Sequence, residues 1–372
     1  MSKVRQFLRL FMVQQLLPAL EANQEALIGG QAVLEGVMMR SPHAWGIAVR
    51  KPSGEMATHC EPLQRPSEKR KWLAWPFVRG LVTLGQAMNL GYRALKFSAN
   101  VALASFSSAE SQKTEEKEQA VSAAQSQVQA VSHSASQSVE HTTSSLKPSS
   151  PKEDAKPPEM TSWMIVMNMV VGIGFFIFMY KFVPLVAATQ LRHSWSALNN
   201  NFLFNLVDGA IRMGLFLLFI WGISLWADIH RLYQYHGAEH KTVFAYEAQK
   251  DIPSIEFTQK FSTYHPRCGT SFLVTIMLIS IFIYAAIPVT RFWPRFGLRV
   301  LLLPVIASVS YEMIRFSAKH GRSLFALMTK PGLWTQRITT KQPSDDQVEC
   351  AIKALDEAMI LEKNHGGDLV IA

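Results

Sequence analysis

The sequence predicts an α-helical integral membrane protein of about four transmembrane helices with a small cytoplasmic α+β domain. Three observations predict it. The chain of 372 residues is 48% hydrophobic and only 17% charged, a balance expected when long segments avoid water. Four apolar segments, Trp163–Leu185, Phe204–Trp226, Phe272–Val289 and Leu298–Ile314, each approach the ~20 residues that carry a helix across ~30 Å of hydrocarbon. Lys and Arg crowd residues 50–80, 231–267 and 315–341, which the positive-inside tendency assigns to the cytoplasm. An even number of crossings then places the N- and C-termini on that side. Arg291, Arg295 and Arg299 run against this assignment, since they follow the third segment on the outer side.

The net charge of +9 is carried by those loops. No compact patch of basic and aromatic residues calls for nucleic acid, so the lipid bilayer is the expected partner; protein partners are left open. Three widely spaced cysteines, Cys60, Cys268 and Cys350, make neither a disulfide framework nor a CxxC knuckle.

Taken in order, residues 1–27 mix Lys3, Arg5 and Arg9 with Phe7, Leu8, Phe11 and Leu16, the pattern of an amphipathic N-terminal helix. Residues 28–62 form a β-rich cytoplasmic segment: Trp45–Arg50 and Glu55–Cys60 flank a Pro52-Ser53-Gly54 turn. Glu35, among apolar neighbours, and Arg40 project polar groups from this segment. Residues 63–106 are broken by Arg79, Asn89, Arg93 and Lys96 and read as interfacial helices. Residues 107–158, rich in Ser, Gln, Ala, Glu and Lys, read as a disordered linker. Residues 159–228 hold transmembrane helices 1 and 2, with Asp208 and Arg212 an i,i+4 pair in the second. Residues 229–271 form a cytoplasmic loop, 272–315 hold helices 3 and 4, and 316–372 complete the small domain. In that last stretch Pro331–Trp334 reads as a turn and Gln336–Thr340 as an added strand. Ser344-Asp345-Asp346-Gln347 is a capping box that opens a helix to about Glu362.

The chemistry concentrates between Tyr235 and Ser271. His236 and His240 share one face of a helix and suit a divalent metal, with zinc the expected ion. Glu239 beside them is placed to act as a base, in the His-x-x-Glu-His order of inverted zinc proteases. A third ligand has to come from another element: Cys268, His265, Glu312 or Glu35. Glu247 is too far along the helix, about 10 Å past His240. Glu35 is a second candidate base, and Arg40, Lys241 and Arg267 are candidate contacts for an anionic substrate. Gly237 weakens the helix by propensity.

GGQAVLEGVMMR (29–40), AVRKPSGE (48–55), YHGAEHK (235–241), HPRCGTSF (265–272) and PGLWTQRITT (331–340) resemble the bacterial YqhQ-like membrane family. The likeness covers about residues 28–350, apart from the linker. It implies a multi-pass protein of the bacterial inner (plasma) membrane and a metal-dependent enzyme with His236, Glu239 and His240 at its site. The functional expectation is a metal-dependent hydrolase at the cytoplasmic membrane surface. The alternative is a non-catalytic membrane scaffold, an assembly factor or a transporter component.

Overall fold

The structure is a computed structural model and describes residues 28–63, 70–132, 162–265, 268–319 and 324–365. The helix expected over 1–27, residues 133–158 of the expected linker and Arg267 lie outside the described residues. Four strands, β1 (Gly29–Val33), β2 (Gly36–Arg40), β3 (Ala44–Arg50) and β4 (Met56–Pro62), pair antiparallel in chain order. The helices are α1 (Val78–Ser132), α2 (Ser162–Ile177), α3 (Val183–Ser194), α4 (Asn201–Ile223), α5 (Ala227–Gln249), α6 (Ile255–Gln259), α7 (Gly269–Ala285), α8 (Phe292–Leu301), α9 (Leu303–Lys319), α10 (Leu324–Thr339) and α11 (Asp345–His365).

The β3–β4 hairpin turns at the expected Pro-Ser-Gly, with Gly54 at φ 89°. In the β2–β3 register Val37 faces Ala48 and Met38 faces Ile47. Alternate residues point to opposite faces. Val37, Met39 and Ala48 pack with Tyr235, Ala238 and Val243 of α5 and with Val348, Ala351 and Leu355 of α11. Met38, Trp45, Ile47 and Val49 pack with Leu90 and Ala94 of α1. A sheet buried on both faces explains why β2 and β3 are apolar throughout instead of alternating.

The expected α+β unit is therefore present, with one addition. Within the stretch expected to form interfacial helices, α1 lays Leu90 and Ala94 on the second face of the sheet. It also runs on to Ser132, into the stretch whose composition reads as linker. That stretch is rich in Ala, Glu, Gln and Lys, all good helix formers.

All four expected apolar segments are helical, but their boundaries shift. Val170–Ser194 and Asn201–Ile223 are long and apolar enough to cross a membrane, and α8 with α9, bent by 48°, count as a third if taken as one span. α7 is apolar but shorter, at 17 residues. The first helix continues past Pro184 because the π-helical turn Phe178–Phe182 precedes it, so the missing proline N–H falls at the first turn of α3. Pro304 sits just past the bend between α8 and α9, where a residue without an N–H is tolerated.

Of the three arginines that run against the topology, Arg291 is exposed just before α8, but the other two are not loop charges. Arg295 and Arg299 lie on α8, 7% and 1% exposed, and Arg299 donates to Asp208 Oδ1 at 2.6 Å. A charge buried in a pair carries little weight as a loop signal. Asp208 and Arg212 do pair, as their spacing implies.

Pro331–Trp334 is not a turn and Gln336–Thr340 adds no strand, because both lie largely within α10. Gly332 lets α10 approach α7 closely; a Cβ there would lie 2.7 Å from Ser271 Cα. That packing overrides the strand-like local sequence. The capping box is present in its reciprocal arm, where Ser344 N–H donates to Gln347 Oε1 at 2.9 Å.

Candidate metal centre

The site lies where α5, residues 260–265, Cys268 at the start of α7 and the end of α10 meet. His236, His240 and Cys268 each offer one ligand atom, and the three atoms lie within 4.8 Å of one another. The imidazole centroids are 4.5 Å apart. Cys268 Sγ is 3.2 Å from His236 Nε2 and 3.2 Å from Thr270 Oγ1. Cys268 is also the N-cap of α7, at the positive end of that helix, which favours negative charge.

Both rings are oriented by backbone. His236 Nδ1 lies 2.8 Å from the Thr339 carbonyl, and His240 Nδ1 lies 2.5 Å from the Thr263 carbonyl. A carbonyl only accepts, so each Nδ1 carries a proton, and in the neutral ring Nε2 is then the nitrogen with a lone pair to offer. A soft sulfur and two imidazoles with free Nε2 lone pairs form a donor set that fits zinc.

Glu239 is buried, with Oε2 3.5 Å from His240 Nε2. Its Cγ packs where β1 carries no side chain: a Cβ on Gly30 would meet it at 2.6 Å. Arg40, opposite Gly29, ends the adjoining strand. His265 stands 5.6 Å from His240, ring to ring, and 4.0 Å from Glu247 Oε2. Burial lowers its pKa, against the opposing field of Glu239. Cys268, not His265, completes the trio.

Gln336 braces the segment that delivers Cys268. It accepts from His265 N–H at 2.8 Å and donates to the His265 carbonyl at 2.7 Å and to Ser271 Oγ at 2.8 Å. Neither Gln336 nor the two orienting carbonyls stood out as site groups in the sequence. A backbone carbonyl leaves no residue-type signal.

Other expected site residues are engaged elsewhere. Glu35 sits in the β1–β2 turn at φ 53°, where Arg231 grips both of its oxygens, through Nε at 2.8 Å and through a second N–H, and Tyr235 OH is 3.4 Å away. That fork ties both carboxylate oxygens of Glu35 to α5 at Arg231. Glu312 accepts from Arg79 at the start of α1, not from the histidine cluster. The Lys241 ammonium donates to the Gln259 carbonyl at 2.7 Å, and its residue is 2% exposed. Burial lowers its pKa, and it braces α6 instead of facing a substrate.

No solved structure matches this chain. It is 30% identical over 338 residues to a Bacillus subtilis (strain 168) protein described as "Uncharacterized protein YqhQ", covering 90% of this chain and 92% of that one. The family described as "Protein of unknown function (DUF1385)" matches residues 75–360, which span the histidine pair, Cys268, Gln336 and most of α11. The chain therefore belongs to the DUF1385 family, and the YqhQ-like resemblance of its motifs is borne out.

Proposed function

We propose that this is a multi-pass inner-membrane protein with a metal-dependent hydrolytic site at its cytoplasmic surface, both termini on that side. The observation that carries the proposal is the convergence of His236, His240 and Cys268 with both Nδ1 protons committed to carbonyls. Those three residues would hold a divalent ion, zinc by donor type. Such an ion supplies Lewis acidity, which polarises a scissile carbonyl or phosphoryl oxygen and makes water easier to deprotonate. Glu239 Oε2 receives the proton from the attacking water and returns it to the leaving group. Arg40 and Arg267 are candidate contacts for an anionic substrate.

The membrane reading rests on the outer surface of the helices. Leu206, Leu218, Phe219, Phe282 and Leu301 are exposed, while Asn205, Asp208 and Arg212 of the same bundle are buried. That inside-out arrangement suits lipid. Exposed Trp221 and Trp226 lie near the end of α4, and exposed Trp195 and Trp293 near the opposite ends of the helices, as interfacial belts require.

Metal content tests the site. Tagless protein purified in detergent without chelator is expected to carry about one divalent ion per chain by mass spectrometry, lost in His236→Ala, His240→Ala and Cys268→Ser. Glu239→Gln is expected to keep the ion. Metal-free wild type after zinc or manganese re-addition would sink the reading and leave a non-catalytic scaffold as the better one.

A further inference from the structure

Away from the histidine cluster, the apolar bundle holds a second set of charges that the proposed hydrolysis does not use. Asp208 is 1% exposed and receives Arg212 on one oxygen and Arg299 on the other. Arg299 also donates to Asn205 Oδ1 at 2.7 Å, and Arg212 donates to Ser280 Oγ at 2.7 Å. Lys181, 4% exposed and set in the π-helical turn, lies 3.2 Å from Tyr284 OH. The Tyr284 ring is the hub, with the Lys181, Arg212 and Arg299 charges 5.3, 5.6 and 5.1 Å from its centroid. Arg295, one turn from Arg299 on α8, is also buried, against the Phe204 ring at 4.2 Å.

The charge does not balance. Four cationic side chains, Lys181, Arg212, Arg295 and Arg299, stand around one carboxylate. Even with Lys181 deprotonated, the guanidiniums outnumber Asp208, and arginine does not lose its proton in proteins. Uncompensated charge in an apolar interior is costly. The buried Arg212 and Arg299 Nε atoms also have no partner. A narrow cleft open at its mouth reaches this cluster, with about 10 Å³ of internal space, enough for one water or one phosphate oxygen; it is lined by Asn205, Tyr284, Val289, Arg295, Leu298 and Arg299. Asn205 lies about 6 Å along α4 from Asn201 near its start; on the proposed membrane topology, on which this inference rests, that puts the mouth at headgroup depth on the side opposite the histidine cluster.

We propose that the mouth of this cleft binds a phosphate group through one of its oxygens, held by Arg295 and Arg299 with the charge of Arg212 behind them. Arg295 spends its Nε on the Val289 carbonyl at 2.7 Å and one terminal N–H on Asn201 Oδ1, which leaves further N–H donors at the mouth for a phosphate oxygen. Two sources share this chemistry, an anionic phospholipid headgroup and free phosphate.

The test is thermal unfolding of the detergent-purified full chain, titrated with inorganic phosphate and, separately, with phosphatidylglycerol or phosphatidylcholine in mixed micelles. Phosphate stabilises many folded proteins without binding a site, so the readout is the difference between wild type and Arg295→Gln. That variant leaves the two ion pairs of Asp208 intact. The expected result is a saturable rise in melting temperature for wild type, with half-saturation about tenfold weaker in Arg295→Gln, the loss of one charge-assisted contact. A rise with phosphatidylglycerol alone assigns the site to lipid, and a rise with phosphate assigns it to the free ion. Equal titrations for the two proteins, or no saturable rise with either ligand, would overturn the proposal. If Arg295→Gln fails to fold, equal effects of phosphatidylglycerol and phosphatidylcholine on wild type, with no saturable phosphate effect, overturn it.

Discussion

Gly237 separates local propensity from tertiary contact. In an exposed helix a glycine costs about 0.5–1 kcal/mol relative to alanine, so Gly237→Ala would stabilise if only the helix mattered. A Cβ at this position would lie 2.0 Å from the Lys341 carbonyl oxygen, and Lys341 N–H in turn donates to the Tyr233 carbonyl at 2.9 Å. The obstacle is backbone, which cannot rotate away. Gly237→Ala is therefore expected to destabilise by about 1–3 kcal/mol, read by thermal unfolding; a stabilised variant would contradict the packing. Gln336 gives the second prediction at this scale. Gln336→Leu strips partners from both backbone groups of His265 and from Ser271 Oγ, at about 1–3 kcal/mol. Because His265 precedes Cys268, metal retention in a chelator competition is expected to fall by about 10- to 100-fold. Wild-type retention in Gln336→Leu would show that the brace does not set the site.

Among the elements, α11 is the lid of the sheet. It packs tightly against β3: a Cβ on Gly46 would meet the Ala354 carbonyl oxygen at 2.6 Å. Its far end is clasped by Glu362, which accepts from Ser41 Oγ at 2.5 Å and from His43 N–H at 2.7 Å. Burial alone would raise the Glu362 pKa, but the Ser41 and His43 hydrogen bonds outweigh it and hold it below the usual carboxylate value. A depressed folded-state pKa contributes stability above the unfolded value of about 4.3 and loses it as pH falls through the folded one. Glu362→Gln is expected to cost about 1.5–3 kcal/mol at neutral pH. In chemical denaturation the gap to wild type should close as the pH drops below the carboxylate range. A gap independent of pH would mean that the clasp is not ionic.

For the whole molecule, the proposed topology puts the histidine cluster and the arginine cleft on opposite membrane faces. Asn199, between α3 and α4, and Asp251, after α5, are both exposed and report the two sides. Cys268 and Cys350 are buried, and Cys60 is half-buried, so a Cys60→Ser background leaves little native labelling. In intact cells an impermeant thiol reagent should label Asn199→Cys and reach Asp251→Cys only after lysis. The reverse pattern would turn the protein over and place the histidine cluster outside.

Several features were legible without a fold. The apolar segments declare helices by length and composition, and His236 and His240 share a face because the helix repeat allows nothing else. The β3–β4 turn follows from Pro52 and Gly54, and the opening of α11 from Ser344 and Gln347. These depend on residues close in sequence, whose geometry the backbone limits strongly. Contacts between distant segments were decided only by packing. Cys268 rather than His265 meets the histidines, and Gln336, 68 residues on from Cys268, pins both backbone groups of His265. Glu35 belongs to Arg231 and Glu312 to Arg79 because the chain crossings put those cations first. Arg295 and Arg299 turn inward to Asn201 and to Asp208, not outward to water. A charge in a sequence shows its sign, but its partner depends on which other segment folds within reach of it.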